Sequence, residues 1–213
     1  YQGAIKGAFM NFVLKYIKQL VPRYRIPNTI RFKSMLKRPS ADFIETAISI
    51  DDLAFLQYTG ATTGLSKGVM LSHGNVVANL DQLNSMLADV FEEGQDIHIN
   101  ALPMYHIYSL VVLVLAGYSK GGLNVLITNP RDTKGFIKEL KKWPFTFFNG
   151  VNTLYESLLN HPDINTVDFS SMKLSGTGGS ACRKSTADRW QQLTGKVLLE
   201  GYGLSETSPS VSI

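Results

Sequence analysis

The chain has 213 residues, of which 44% are hydrophobic and 18% charged, and its formal net charge at pH 7 is +4. This composition is typical of a folded globular protein and excludes a disordered or collagen-like chain. The longest wholly apolar run, residues 110–116, is too short to span a membrane. The single cysteine, Cys182, excludes a disulfide scaffold and a cysteine-based zinc site, and it indicates a reducing, cytoplasmic location.

The positive charge is concentrated at one end. Residues 1–41 hold nine of the 21 Lys and Arg side chains and none of the 17 Asp and Glu, so the remainder has a net charge of −5. Apolar and aromatic residues recur at helical spacing over residues 5–20, with lysines between them, and Pro22 ends this predicted helix. We expect residues 1–41 to form a basic amphipathic arm that lies on an anionic membrane surface, with peripheral association on its inner face. The alternative is that the apolar stripe packs on the rest of the protein, and a nucleic-acid partner is not expected.

From residue 42 onward, strand patterns alternate with helical patterns. The strand-like segments are 51–58, 69–71, 97–102, 123–128, 145–148, a segment near 174, and 197–201. The helical segments are 76–87, 109–118, 132–142, 152–160 and 182–193. This alternation predicts an α/β fold with stacked, mostly parallel sheets.

A first polar turn, residues 59–68, follows the first predicted strand. It contains four hydroxyl side chains, three glycines and one lysine, Lys67. Glycines let backbone N–H groups approach an anion closely, and lysine supplies the opposite charge, so the turn predicts a polyphosphate site. A Walker loop is excluded because Lys67 is followed by Gly68 rather than by Ser or Thr. The alternative is a solvated linker.

Two further turns follow later strands. Residues 175–180 form a glycine-rich turn before a helix, which is a common feature by itself. In residues 200–207, two glycines flank Tyr202, whose ring can face a base, and Glu206 can hold a hard cation such as Mg²⁺. Taken alone, each is also compatible with an ordinary strand end.

Together these segments resemble one family. Residues 58–68 resemble the phosphate-loop motif of adenylate-forming enzymes, written YTSGTTGxPKG; residues 200–207 resemble their GYGxTE motif, and residues 102–108 their LPxxH segment. Residues 127–132, 150–154 and 199–206 are most similar to bacterial long-chain fatty-acid–CoA ligases. The resemblance implies that residues 42–213 are the central part of the AMP-binding N-terminal domain, without the C-terminal domain, so that the chain alone is expected to be inactive.

The resemblance also implies a reaction and a set of site residues. A fatty acid would react with ATP in the presence of Mg²⁺ to give an acyl-adenylate, and CoA would then displace AMP. Catalytic roles fall on Lys67, His106 and Glu206, with Glu206 and Thr59 near the metal. The nucleotide is expected to contact Thr59, Gly60, Ala61, Thr62, Thr63, Gly64, Lys67, Gly179, Ser180, Gly201, Tyr202, Gly203 and Ser205. Gly150 and Val151 are expected in the acyl tunnel, whereas His73, His98 and His161 are expected to be structural or exposed.

The chain departs from the family pattern at several positions. Gly60–Ala61 stands where Ser-Gly is usual, Ser66 where Pro is common, and Thr177 and Ala181 alter the S-G-G-A-P pattern. A side chain on Ala61 would be strained at a positive φ. Two alternative functions therefore stay open: a ligase for an aryl or short-chain acid, and a non-catalytic membrane-associated nucleotide-binding module.

Overall fold

The computed structural model describes residues 4–22, 25–37, 44–60, 64 and 66–213. The chain divides into two units, Tyr1–Ala47 and Ile48–Ile213. The change of pattern predicted at residues 41–42 lies outside the described residues.

The first unit contains two short helices. Helix α1 (Ala4–Phe12) continues into a π-helical turn (Val13–Ile17), and α2 (Phe32–Met35) follows. The helical segment ends before residue 20, the predicted end, because Gln19 adopts a left-handed conformation with φ of 49°. Most large apolar side chains of this helix are exposed, with Ile5 at 87% and Phe9 and Ile17 at 66%, while Val13 and Leu14 are partly buried.

The second unit begins with an antiparallel hairpin of β1 (Leu53–Thr59) and β2 (Lys67–Ser72). A five-stranded parallel sheet follows, with strand order β4-β3-β5-β6-β7. Its strands are β3 (Ile97–Asn100), β4 (Leu123–Leu126), β5 (Phe147–Gly150), β6 (Leu174–Thr177) and β7 (Leu198–Glu200). A short antiparallel pair, β8 (Tyr202–Gly203) and β9 (Ser210–Ser212), completes the strands of the described residues.

Helices connect the strands. They are α3 (His73–Met86), a π-helical segment (Tyr108–Leu115) that continues as α4 (Ala116–Ser119), α5 (Thr133–Leu140), α6 (Asn152–Leu159) and α7 (Lys184–Thr194). Short 3₁₀ turns occur at Pro162–Thr166 and Ser205–Thr207. Local chemistry explains several ends: Ser72 and Asn75 form a capping box at the start of α3, the Asp132 carboxylate accepts from the Gly135 amide, and Gly195 ends α7 with φ of 72°. No helix in the described part of the chain is both long enough and apolar enough to cross a bilayer.

The main hydrophobic core lies on one face of the parallel sheet. Phe148 on β5 stacks on Trp190 of α7, with ring centroids 5.4 Å apart, and both side chains are fully buried. The Trp190 indole N–H donates to Ser175 Oγ on β6 at 2.9 Å, which satisfies the polar end of the buried ring. Because strand side chains alternate, the neighbouring residues Phe147 and Leu174 lie on the opposite face.

The predicted alternation of strands and helices is confirmed for the parallel sheet. The first polar turn is the exception, because it joins two antiparallel strands of a hairpin instead of ending a strand of that sheet. Its length explains the difference: a parallel connection needs a dozen or more residues, whereas an antiparallel pair closes over a short loop.

Candidate functional site

The three polar turns meet at one cavity of about 500 Å³, at the carboxyl ends of the parallel strands. Open α/β sheets bind ligands at this edge. The predicted site residues that line the cavity are Thr59, Gly60, Lys67, His106, Gly179, Gly201, Tyr202, Gly203, Ser205 and Glu206. The sequence prediction that these turns converge is therefore confirmed, while the role of each residue stays a prediction.

The β1–β2 hairpin presents the first turn to the cavity. Thr59 and Lys67 are opposite each other in the strand register, so both ends of the turn lie at the same edge. The Gln57 side-chain amide donates to the Tyr105 carbonyl at 2.9 Å, which ties the hairpin to the segment that carries His106. Lys67 has no salt-bridge partner within the described ranges, and its ammonium group is free to meet an anion.

Three of the predicted contact residues in the first turn are not among those that the structure describes. Ala61, Thr62 and Thr63 lie outside the described residues. Gly64 is described, has φ of 92° and is exposed, but it is not among the residues lining the cavity. The positive φ at this position is one that favours glycine.

The third turn is held by a tight local network. A Cβ on Gly203 would overlap the Pro209 carbonyl oxygen, so only glycine allows β8 and β9 to approach this closely. The Thr207 hydroxyl accepts from the Leu204 amide at 3.1 Å and lies 2.7 Å from the Pro209 carbonyl. This turn holds Glu206, which is exposed and unpaired among the described residues, at the cavity.

A buried asparagine attaches this turn to α3. The Asn79 side chain donates to the Ser210 carbonyl at 2.9 Å and accepts from the Ser210 amide at 3.0 Å. Asn79 is only 4% exposed, and this paired contact satisfies both of its amide groups. Asn79 is not predictable from the sequence, since an asparagine within a helix has no distinctive local pattern.

His106 is fixed in one tautomer when neutral. Its Nδ1 accepts from the Tyr108 backbone amide at 3.2 Å, so the ring proton resides on Nε2. The side chain is exposed and lines the cavity. Nε2–H is thus available as a donor toward a ligand.

Tyr108 and the second turn pack against each other and line the cavity. A Cβ on Gly178 would lie 3.1 Å from the Tyr108 ring, so this glycine permits the ring to pack on the turn. Burial raises the pKa of Tyr108 well above its usual value, and the hydroxyl is neutral at physiological pH. Ser180 is exposed next to Gly179 and is not among the lining residues.

The structure adds polar groups to the predicted site. Thr177 lies at the carboxyl end of β6, and its buried Oγ1 has no hydrogen-bond partner within the described ranges. Asn149 also lines the cavity, and a Cβ on Gly176 would overlap its Oδ1. Tyr108 lies in the LPxxH segment, so the sequence could have predicted it as a site residue. Asn149 lies one residue beyond the end of the predicted strand, so the strand pattern did not assign it to the site.

Gly150 and Val151, the residues expected in the acyl tunnel, do not line this cavity. Gly150 faces the core, where a Cβ would lie 3.0 Å from Leu154 Cδ2, and Val151 packs on the same core. The alternation of β5 places Asn149 on the cavity face in their stead. His98, expected to be structural or exposed, is 4% exposed and stacks on Phe147, which agrees with a structural role, and it also lines the cavity. His73 and His161 are at helix starts.

The carboxylates of the site do not form a metal cluster. No group of three or more His, Cys, Asp or Glu side chains suitable for a metal ion occurs in the part of the chain that the structure describes. Glu206 is a single carboxylate, which fits Mg²⁺ because this ion usually takes one or two protein carboxylates and completes its shell with water and phosphate oxygens.

The chain is similar in sequence to known ligases and in structure to a solved protein that binds ATP. A long-chain-fatty-acid–CoA ligase of Escherichia coli O157:H7 is 48% identical over 209 residues, which cover 98% of this chain and 37% of that protein. One of Bacillus subtilis strain 168 is 37% identical over 186 residues, or 85% of this chain and 32% of that protein. The solved structure of ATP-bound MatB from Rhodopseudomonas palustris is 31% identical, has a TM-score of 0.64 and matches 78% of this chain and 32% of that one.

The chain thus spans little more than a third of the length of the E. coli relative. The family model described as "AMP-binding enzyme" matches residues 17–213. This match covers all three polar turns and the cavity between them, and it shows that the chain belongs to the AMP-binding enzyme family.

Proposed function

We propose that this chain is part of a long-chain fatty-acid–CoA ligase, which activates a fatty acid with Mg-ATP and transfers the acyl group to CoA. The observation that carries the proposal is that Lys67 and Glu206 line one cavity with the glycine turns, with opposite charges and with no salt-bridge partner among the residues that the structure describes. The identity to the E. coli and B. subtilis ligases supports the choice of substrates.

In the first step, a carboxylate oxygen attacks the α-phosphorus of ATP, and the bond to the β-phosphate bridging oxygen breaks to release pyrophosphate. Two anions have to meet, so positioning and charge compensation dominate the catalysis. Lys67 compensates charge on the leaving polyphosphate, and the backbone of the turn around Gly60 and Thr59 donates to its oxygens. Glu206, with a contribution from Thr59, would hold a Mg²⁺ ion, which would supply further positive charge when bound.

The third turn and β6 would hold the nucleoside part. Tyr202 is 61% exposed, and its ring face is available for stacking on adenine. Gly179 and Ser180 would lie along the base edge, and Ser205 near the α-phosphate. The buried Thr177 hydroxyl has no hydrogen-bond partner in the described part of the chain, which supports a polar ligand here, because buried hydroxyl groups are normally hydrogen-bonded.

His106 would position the reacting carboxylate. With Nδ1 engaged by the Tyr108 amide, Nε2–H donates to one carboxylate oxygen and leaves the other free to attack phosphorus. In the second step, the CoA sulfur attacks the acyl carbonyl carbon, and AMP leaves with the electron pair of the broken C–O bond. The fixed tautomer gives His106 a donor role in the first step.

Pyrophosphate exchange tests this function. The full-length protein is incubated with labelled pyrophosphate, Mg-ATP and one carboxylic acid at a time, with fatty, aryl and short-chain acids compared. We expect exchange with long-chain fatty acids, and CoA thioester when CoA is added. If exchange occurs only with aryl or short-chain acids, the protein is a ligase for those acids. If the protein binds nucleotide but shows no exchange, it is a non-catalytic nucleotide-binding module.

The first unit supports a second proposal, association with an anionic membrane surface. Large apolar side chains of its helical segment are exposed, including Phe12 at 54%, Tyr16 at 60% and Ile17 at 66%. Lysines are interspersed with them, which is the pattern of a helix that lies in the headgroup region. A helix bound in this way would let the enzyme take its fatty acid from the bilayer.

A further inference from the structure

The buried side chain of Asn152 holds the segment that joins the second polar turn to α7. We refer to this segment, residues 178–183, as the connecting segment. Asn152 is the first residue of α6, is 8% exposed and is not among the residues that line the cavity. Its Oδ1 accepts from the Arg183 backbone amide at 3.0 Å and lies 3.7 Å from Cys182 Sγ. Because Arg183 directly precedes α7, this bond fixes the chain where it enters that helix.

A second side chain holds the neighbouring amide. Glu200 is the last residue of β7, and its carboxylate accepts from the Cys182 backbone amide at 3.0 Å. The next residues, Gly201 and Tyr202, belong to the third polar turn. The bond from Cys182 to Glu200 therefore joins the end of the connecting segment to the start of the third turn. Glu200 itself is not among the residues that line the cavity.

The parallel sheet fixes the other end of the connecting segment. The Gly178 amide donates to the Gly150 carbonyl at 3.4 Å, and the Gly201 amide donates to the Thr177 carbonyl at 2.8 Å. Between the two fixed ends, residues 179–181 are exposed and make no backbone–backbone hydrogen bond within the described ranges. The position of this middle part thus depends on how its two ends are held.

The packing of α6 on α7 has contacts that do not involve Asn152. Glu156 Oε1 accepts from Arg183 Nη1 at 3.0 Å and from Thr186 Oγ1 at 3.3 Å. These bonds join side chains of the two helices and leave the backbone amides of residues 182 and 183 to Glu200 and Asn152. Loss of the Asn152 oxygen would therefore release the connecting segment while the helices stay in contact.

We infer that Asn152 is a positioning residue for the adenine part of the nucleotide, because it keeps Gly179 of the second turn at a fixed distance from Tyr202 of the third. This inference rests on the proposed function and adds a residue that acts on the nucleotide without touching it. A segment that is released at one end has to be ordered when the base binds, and that ordering weakens the affinity. The polyphosphate is unaffected, since its contacts are assigned to the first turn and Glu206.

The test compares two ligands that differ in the nucleoside. Asn152→Ala in the full-length protein is titrated calorimetrically with ATP and with inorganic triphosphate, at the same Mg²⁺ concentration. We expect the Kd of ATP to rise about tenfold, the order of one lost hydrogen bond, and the Kd of triphosphate to stay unchanged. Glu200→Ala should have the same effect. Glu200→Gln keeps an acceptor oxygen for the Cys182 amide and should bind ATP like the wild type.

Thr186→Val is the matched control for a purely structural effect. It removes the bond from the Thr186 hydroxyl to Glu156 in the same contact between α6 and α7, and Thr186 is 2% exposed. This variant should lower the melting temperature and leave the Kd of ATP unchanged, because it does not release the connecting segment.

The outcomes separate this inference from the proposed function. If Asn152→Ala binds ATP as tightly as the wild type, or weakens both ligands by the same factor, Asn152 does not position the adenine wall. If Asn152→Ala does not fold, Glu200→Ala decides between the same outcomes, since Glu200 is exposed. If the wild type binds ATP but exchanges pyrophosphate with no acid, the proposed function fails, and the two titrations still test the role of Asn152.

Discussion

At the scale of single residues, the site depends on charges that are left unpaired. Within the described ranges, the salt bridges of the second unit involve other side chains, while Lys67 and Glu206 have none. A lysine that was neutralised by a fixed carboxylate would attract a polyphosphate less strongly. The fold keeps these two charges on separate turns, where each can meet its own ligand group.

Replacing Glu206 by Gln tests the metal role. The amide keeps the size and loses the charge, so we expect adenylation at limiting Mg²⁺ to fall on the order of 100-fold, within the range for losing one electrostatic contact to a transition state. The measurement is pyrophosphate exchange as a function of Mg²⁺ concentration. Glu93→Gln removes an exposed carboxylate that does not line the cavity and should leave exchange unchanged. Equal Mg²⁺ dependence in Glu206→Gln and the wild type would refute the metal role.

At the scale of elements, the third turn is positioned by a helix that is distant in sequence. Asn79 on α3 makes a two-way hydrogen bond with Ser210 of β9, and β9 pairs with β8, which carries Tyr202. The third turn, with Tyr202, is thereby connected to the element that follows the β1–β2 hairpin. Two of the three turns are thus linked through α3.

Asn79→Ala tests this connection. It leaves the Ser210 amide and carbonyl without partners, so we expect the free energy of unfolding to fall by about 1–3 kcal/mol and the KM for ATP to rise. Thermal unfolding and exchange kinetics measure the two effects. Gln82→Ala, on the exposed side of α3, removes only the contact of Gln82 with Asn79 and serves as the control. An unchanged KM for ATP would show that β9 does not need this bond to hold Tyr202.

The basic helix of the first unit is tested by changing its charges. Replacing Lys6, Lys15 and Lys18 together by Gln should weaken co-sedimentation with phosphatidylserine vesicles at low salt, at about 1 kcal/mol for each lysine near the surface. The effect should diminish at high salt because charges at the surface are screened. Replacing Lys138, Lys141 and Lys142 on and after α5 removes the same charge elsewhere and is the control.

Deletion of residues 1–21 should weaken the same vesicle binding further, since it also removes the exposed apolar side chains. If vesicle binding is equal with and without these residues, the apolar side chains of this helix pack on protein and do not bind the membrane.

At the scale of the whole molecule, burial of His98 links stability to pH. The pKa of His98 is lowered from 6.5 to about 4, mainly by burial; Asp96 opposes this shift and Lys173 adds to it. Between these pH values the unfolded chain binds a proton that the folded chain does not. Stability is therefore fully present above pH 6.5 and falls as the pH drops toward 4, by at most about 3 kcal/mol.

His98→Gln removes this titration. In denaturant unfolding of the full-length protein at several pH values, the variant should lose less stability between pH 6.5 and 4 than the wild type does. The titrations of Asp96 and Lys173 are common to both proteins. Identical pH profiles would show that His98 does not remain neutral when folded.

Much of the fold follows from short-range pattern. The β3–β7 strands and α3–α7 helices correspond to predicted segments because apolar periodicity and capping residues such as Ser72 and Asp132 are local properties. The polar turns were also identifiable, since glycine, hydroxyl and lysine side chains crowd into a few positions. The order and spacing of the three motifs together predicted that these turns bind a nucleotide.

The sequence by itself thus determined the alternation of elements, the three turns and their charges. Only the tertiary structure decided that Asn149 rather than Gly150 faces the cavity, and that His98 stacks on Phe147 at its inner end. These facts depend on strand register and on contacts between residues far apart in the chain. A shift of one residue in register would exchange the two faces of the sheet, and no local pattern in β3 or β5 specifies which face meets the ligand.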